Sequence, residues 1–348
     1  MRLISLASVL PVLVTTLIAS SFSSAAENGA DGDMQAVLDA HASLKPKPIE
    51  SLSPVDARKP PTLADAVAVV LKKQGKSTDP QILVPGVKSV NRSIAGAVGQ
   101  IPARIYTPAG AGPFPVIVYY HGGGWVIGDK QLYDGGARGL SKQANAVVVS
   151  VDYRLAPEHK FSASWDDALA AYKWASVNAK SIKGDPKKLA LAGESAGGNL
   201  AVATAIAVRD AGLQAPRHVL AVYPISQTST TTESYEKNAN AKPLSQSMMK
   251  WFFDKVINSP SDLKDPRLQL VDANLKGLPS VTIINASIDP LLSDGVMLED
   301  ALKKAGVPVE RKMYPGVTHE FFGMAAVVQK AEEAQVYAGK RLKQAFSE

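Results

Sequence analysis

Gly193-Glu194-Ser195-Ala196-Gly197 matches the pattern G-x-S-x-G, in which small residues hold a serine on a sharp strand-to-helix turn clear of its surroundings. An apolar run at 189–192 precedes it and an alanine-rich helical run at 196–211 follows. A serine at the start of a helix sits in a field that favours developing negative charge. The same five residue types also make ordinary glycine-rich turns, so the motif needs partners elsewhere in the chain. A hydroxyl is a poor nucleophile at neutral pH unless a base lies within hydrogen-bonding reach. The chemistry in prospect is acyl transfer.

On doubly wound sheets that carry such a serine, an acid and then a histidine follow it in chain order. Of the five histidines, His218 and His319 follow Ser195. His218 opens the apolar run 218–223 before any suitable acid, which leaves His319, in the loop after the strand-like run 309–314. Asp289 comes directly after the run 281–285 and is the candidate acid, with Asp294 as runner-up. Asp300 falls on a solvated helix face, and Asp254, Asp262, Asp265 and Asp272 fall in a segment outside the regular pattern. The alkoxide formed in acyl transfer needs pre-aimed N–H donors. His121-Gly122-Gly123-Gly124 follows the buried-looking run 116–120 and precedes Trp125, an odd residue to expose. The amides of Gly122, Gly123 and Ala196 are the candidate oxyanion hole, and His121 reads as a residue that fixes the loop.

The elements that must position these residues alternate. Runs at 116–120, 146–151, 189–192, 219–223, 281–285 and 309–314 are short and almost continuously apolar. Helix-like stretches at 131–144, 165–179, 196–211, 295–304 and 325–346 follow or separate them. That is the pattern of a mostly parallel central sheet covered on both faces by helices, an α/β fold. The alternation breaks at 226–274, which is too long for a simple loop and should carry helices of its own. Met248, Met249, Trp251 and Phe252 fit either the lining of an acyl pocket or the core of that segment; helical apolar spacing usually means packing, so none is taken as a site residue. Residues 27–84 form an N-terminal flank with helical spacing at Leu63, Val67, Val70 and Leu71, and 85–348 form the main domain.

Composition excludes several classes. With 46% hydrophobic and 20% charged residues, the chain is an ordinary globular one. The formal charge of +6 is scattered, with no basic stripe and no nucleic-acid motif. Absence of cysteine removes disulfides, thiolate metal sites and a cysteine nucleophile together. His319-Glu320 has no second histidine four positions on, as a zinc motif would need. Two S-x-x-K matches, at 247–250 and 261–264, lack the accompanying S-D-N and K-T-G elements. Residues 1–26 have a basic start, an apolar stretch broken by Pro11 and a small-residue end at Ser24-Ala25-Ala26. They read as a secretory signal peptide, with an uncleaved anchor as the alternative. The expected location is a bacterial periplasm or the medium, with no membrane span after cleavage.

Taken together, HGGGW at 121–125, VDYRLAPEH at 151–159, GESAGG at 193–198, DPL at 289–291 and the late His319 resemble the hormone-sensitive-lipase-like family of bacterial esterases, family IV. The likeness runs over roughly 85–345 and includes KPLSQSMMKWFF, DPR, GLPS and AGVPVE in order. It implies an α/β-hydrolase fold with a helical cap built from 27–84 and about 226–274. It also implies cofactor-free hydrolysis of small-molecule carboxylic esters with short to medium acyl chains. By motif, Ser195, Asp289 and His319 are the triad, Gly122, Gly123 and Ala196 the oxyanion hole, and Asp152, Arg154 and Glu158 structural braces. The chain departs from the family at Glu320, where glycine usually follows the histidine, and at Glu194, where aspartate is common. A homodimer is left open. The alternatives are an amidase or deacetylase using the same triad, and a non-catalytic ligand receptor on the same fold.

Overall fold

A computed structural model describes residues 29–59 and 61–348. The signal-peptide reading of 1–26 lies outside the described residues. Among the described residues, no helix is long and apolar enough to cross a membrane.

The described residues begin with α1 (Gly32–Ser43), α2 (Pro54–Ala57), α3 (Leu63–Lys73) and α4 (Pro80–Leu83), followed by β1 (Val87–Ala95), β2 (Gln100–Pro108) and β3 (Phe114–Tyr120). Then come α5 (Asp134–Ala144), β4 (Val147–Val151), α6 (Ala163–Asn178), β5 (Gly184–Glu194), α7 (Ala196–Asp210) and β6 (Val219–Val222). The segment after β6 carries α8 (Glu233–Lys237) and α9 (Gln246–Val256). The pattern resumes with β7 (Val281–Ile288), α10 (Leu292–Lys304), β8 (Val309–Thr318) and α11 (Gln329–Ser347).

Eight strands form one sheet in the order β1-β2-β4-β3-β5-β6-β7-β8. β1, β2 and β4 pair antiparallel, and every pair from β4 to β8 is parallel. The sheet divides the core in two, because alternate residues of a strand face opposite sides. Val116, Val118 and Tyr120 join α6, α7, α9 and α10 on one face. Ile117 and Tyr119 join α1, α3, α5 and α11 on the other. The central strands are therefore apolar over most of their buried length, whereas edge strand β8 exposes charged positions such as Glu310 and Lys312, which discourages edge-to-edge pairing.

Local signals start the flanking helices. Thr62 and Asp65 form a capping box at α3, satisfying two of the free N–H groups of its first turn. Ser245 caps α9 by accepting from Met248 N. α5 starts later than the 131–144 pattern suggests, because the Asp129 carboxylate accepts from Gln131 N and Leu132 N, both at 2.8 Å, and holds those residues in a turn.

One ion pair with a buried carboxylate ties three segments. Asp167 on α6 is fully buried. Its carboxylate accepts from Ala97 N in the β1–β2 turn at 2.9 Å and from Arg154 N at 3.0 Å, while Arg154 Nε donates to it at 2.7 Å. Removing one partner of such a pair leaves an uncompensated charge in the interior. Arg154→Ala is expected to cost about 3–5 kcal/mol in denaturant unfolding; a loss under about 1 kcal/mol, the range of exposed pairs, would show that the pair is effectively solvated.

Candidate active site

Four parallel strands end at the same edge, and each candidate segment starts at the first residue beyond its strand. His121 follows β3, Ser195 follows β5, Asp289 follows β7 and His319 follows β8. Ligand sites of open α/β sheets gather at this carboxyl edge. β7 and β8 run beyond the apolar runs 281–285 and 309–314, through an irregularity between Ala286 and Ile288. Gly316 N donates to Ser287 Oγ at 2.9 Å, so Pro315-Gly316 lies within a paired strand instead of starting a loop.

Ser195 has φ 57° and ψ −117°, a conformation that costs a non-glycine residue on the order of 1–3 kcal/mol. The surroundings hold it there. Ser195 N donates to Val222 O at 2.9 Å, and Ser195 O accepts from Asn199 N at 3.1 Å at the start of α7. Asn199 is itself fixed, donating to Ile225 O and accepting from Trp165 Nε1. Gly197 allows α7 to approach the end of β3, since a Cβ there would lie 2.0 Å from Tyr120 O.

His319 and Asp289 are both buried, and His319 Nδ1 lies 2.7 Å from Asp289 Oδ2. The other Asp289 oxygen accepts from Leu291 N at 2.9 Å, and Asn238 beside α8 donates to the Asp289 carbonyl at 3.1 Å. Burial works against protonation of His319. The Asp289 carboxylate, aided by those of Glu320 and Glu194, outweighs it and raises the imidazole above the ordinary histidine value.

The competing candidates go elsewhere. Asp294 accepts from Ser226 N and Gln227 Nε2, both at 3.0 Å, and burial pushes its carboxyl up to about 7. His218 lies at the opposite, amino edge of β6, bonded to Ser280 and Thr282, and burial depresses it to about 3.

The glycine loop after β3 is tightly held. Gly123 has φ 99° and abuts Ile127 O, where a Cβ would approach to 2.2 Å, so the turn accepts only glycine. His121 stacks on Tyr153 with ring centroids 4.3 Å apart, its Nδ1 lies 2.7 Å from Gly122 O, and burial lowers its basicity. Tyr153 OH donates to His121 O at 2.8 Å. Trp125 is buried between Trp165 and Phe253, and Phe252 of α9 closes over Gly124. Phe252, not taken from its spacing as a site residue, thus borders the site.

The DYRLAPE stretch braces this region. Asp152 accepts from Lys130 N at 2.6 Å and pairs with the Lys130 ammonium, and Glu158 takes a bidentate hydrogen bond from Arg58 at 2.9 and 2.7 Å. Arg58 also donates to Val126 O and Ala156 O at 2.8 Å, pinning the N-terminal flank beside the glycine loop. Its place in the sequence gives no sign of this. Glu194 was another residue whose surroundings were not legible. It is buried, accepts from the hydroxyls of Tyr119 and Tyr223, and is pushed by burial up to about 7. Among the described residues, no group of three or more histidine, aspartate or glutamate side chains is placed to hold a metal.

Such a site can activate a hydroxyl, shuttle its proton and support an anion. The Abhydrolase_3 family model, described as an alpha/beta hydrolase fold, matches residues 117–323. Carboxylesterase NlhH of Mycobacterium tuberculosis is 37% identical over 279 residues, covering 78% of this chain and 88% of that protein. Ethyl acetate hydrolase of Pseudomonas putida is 33% identical over 252 residues, covering 70% and 78%. A thermostable esterase from Pseudomonas putida ECU1011 superposes with a TM-score of 0.81 at 32% identity, covering 92% of this chain and 99% of that one. The esterase of Pyrobaculum calidifontis gives 0.78 at 32%, covering 87% and 97%. The chain belongs to the α/β-hydrolase superfamily, in the hormone-sensitive-lipase-like branch of carboxylic ester hydrolases.

Proposed function

We propose that the protein is a serine carboxylesterase acting on short- to medium-chain esters, with Ser195 as nucleophile, His319 as general base and Asp289 as the acid that orients it. The buried 2.7 Å hydrogen bond between His319 and Asp289, one residue past the same sheet edge as Ser195, carries this reading. Ser195 Oγ attacks the ester carbonyl while His319 takes its proton, and Asp289 stabilises the resulting imidazolium. The alkoxide is received by the amides of Gly122, Gly123 and Ala196, the last at the positive end of α7. Collapse expels the alcohol, which takes its proton from His319, and water repeats the cycle on the acyl-enzyme. The relative named ethyl acetate hydrolase supports the short-acyl preference.

In this reading, residues 27–84 and about 226–274 cover the site as a cap. Phe252 over Gly124 and Arg58 against Val126 and Ala156 support that role. The apolar segment at 1–26 supports export to a periplasm or the medium.

Hydrolysis of p-nitrophenyl esters from acetate to palmitate is expected to peak at short to medium acyl chains. Ser195→Ala should lose on the order of 10⁴–10⁶ in kcat while remaining folded. A peak at palmitate would overturn the chain-length assignment, and faster turnover of matched anilides would point to an amidase.

Asp289→Asn should remove most of kcat, whereas Asp294→Asn should leave it within about tenfold; the reverse order would transfer the acid role to Asp294. Because His319 acts in its neutral form and its pKa is raised, the acid limb of kcat/KM is expected above pH 6.5. Activity rises as pH increases through that limb. An acid limb below pH 6.5 would contradict the placement of the carboxylates about the base.

A further inference from the structure

The steps above leave two neighbours of the relay without a task, half-buried Glu320 and buried Tyr133. Glu320 has φ 66°, in the left-handed region that favours glycine, so its backbone is held there at a cost. Its Oε1 accepts a 2.9 Å hydrogen bond from Tyr133 OH, across 187 residues of sequence. Tyr133 is the residue before α5 and is buried. Its hydroxyl lies under the glycine loop, only 2.4 Å from where a Cβ on Gly122 would be, and its ring is 5.8 Å from that of His121. On the far side, Tyr133, Glu194 and Glu320 border a cavity of about 260 Å³ beneath α3. The hydrogen bond from the Tyr133 hydroxyl to Glu320 ties the floor of the glycine loop to the segment that carries His319.

We propose that Glu320 is a positioning residue for ester hydrolysis, holding Tyr133 against the underside of Gly122 and thereby fixing the oxyanion loop relative to the His319 loop. This rests on the triad and oxyanion assignment proposed above. A displacement of about 1 Å in such a loop can cost up to 10²-fold in rate. The Glu320 carboxylate has a second effect through charge. The groups facing His319 are Asp289 from the β7 loop, Glu194 from the nucleophile turn, Glu320 itself, and the Tyr223 ring with its centroid 4.5 Å away. Tyr119 and Tyr223 donate to Glu194, and Tyr133 donates to Glu320. Loss of the Glu320 charge therefore makes His319 less basic.

Three variants separate the hydrogen bond from the charge, assayed for kcat and KM across pH beside wild type and Ser195→Ala. Tyr133→Phe and Glu320→Gly should each lower kcat by about tenfold, with KM within about twofold. Glu320→Gln keeps an acceptor for Tyr133 and should recover most of the kcat lost in Glu320→Gly. Glu320→Gln and Glu320→Gly should share an acid limb shifted to lower pH, while Tyr133→Phe leaves that limb in place. Tyr133→Phe removes a single oxygen and remains informative if Glu320→Gly fails to fold. Wild-type kcat in folded Tyr133→Phe, or no recovery in Glu320→Gln, overturns the proposal. Turnover surviving in Ser195→Ala would instead overturn the assignment on which it rests.

Discussion

A buried imidazole can carry charge only beside a fixed carboxylate, and the Asp289–His319 hydrogen bond, buried at both ends, supplies one for the relay we propose. Low dielectric makes both the attraction and any misplacement expensive. The rest of the architecture serves that constraint. Parallel strands bring their carboxyl ends to one edge, and residues immediately past those ends inherit the rigidity of the sheet. Asp289 is held further by Leu291 N and Asn238, from two different elements. The unfavourable backbone of Ser195 is likewise sustained by Val222 and Asn199.

Around this bond the structure places more negative charge than a relay strictly needs. Glu194 and Glu320 flank Ser195 and His319 in sequence, and both carboxylates act on His319. Each is satisfied by tyrosine hydroxyls instead of a cation. Burial pushes the Glu194 carboxyl up to about 7. Its interior charge is thereby moderated, while the glutamates still favour a protonated His319. A tyrosine hydroxyl fixes such a carboxylate without bringing a cation whose charge would oppose protonation of the imidazole.

Much of this was legible in the sequence. Apolar runs of strand length separated by helical spacing specify a parallel sheet, since only a strand buried on both faces is apolar at every position. The order of serine, acid and histidine singled out His319 and Asp289, and the structure brings those two into contact. Strand ends were less legible. Pro315-Gly316 has turn chemistry, but pairing with β7 and the bond to Ser287 carry β8 through it to Thr318. Least legible were pairs distant in sequence. Arg58 with Glu158, Arg154 with Asp167, and Tyr133 with Glu320 depend on which surfaces meet, and no local period encodes that. Phe252 shows the same limit, because one helical face both packs the core and closes over Gly124.

The most direct test of the central claim is covalent trapping. The protein is treated with diethyl p-nitrophenyl phosphate while ester hydrolysis is followed, and the adduct is located by peptide mass spectrometry. A single diethylphosphoryl group on Ser195, formed in step with loss of hydrolysis, is the expected result. Hydrolysis that survives complete labelling of Ser195, or inactivation by an adduct elsewhere with Ser195 free, would contradict it.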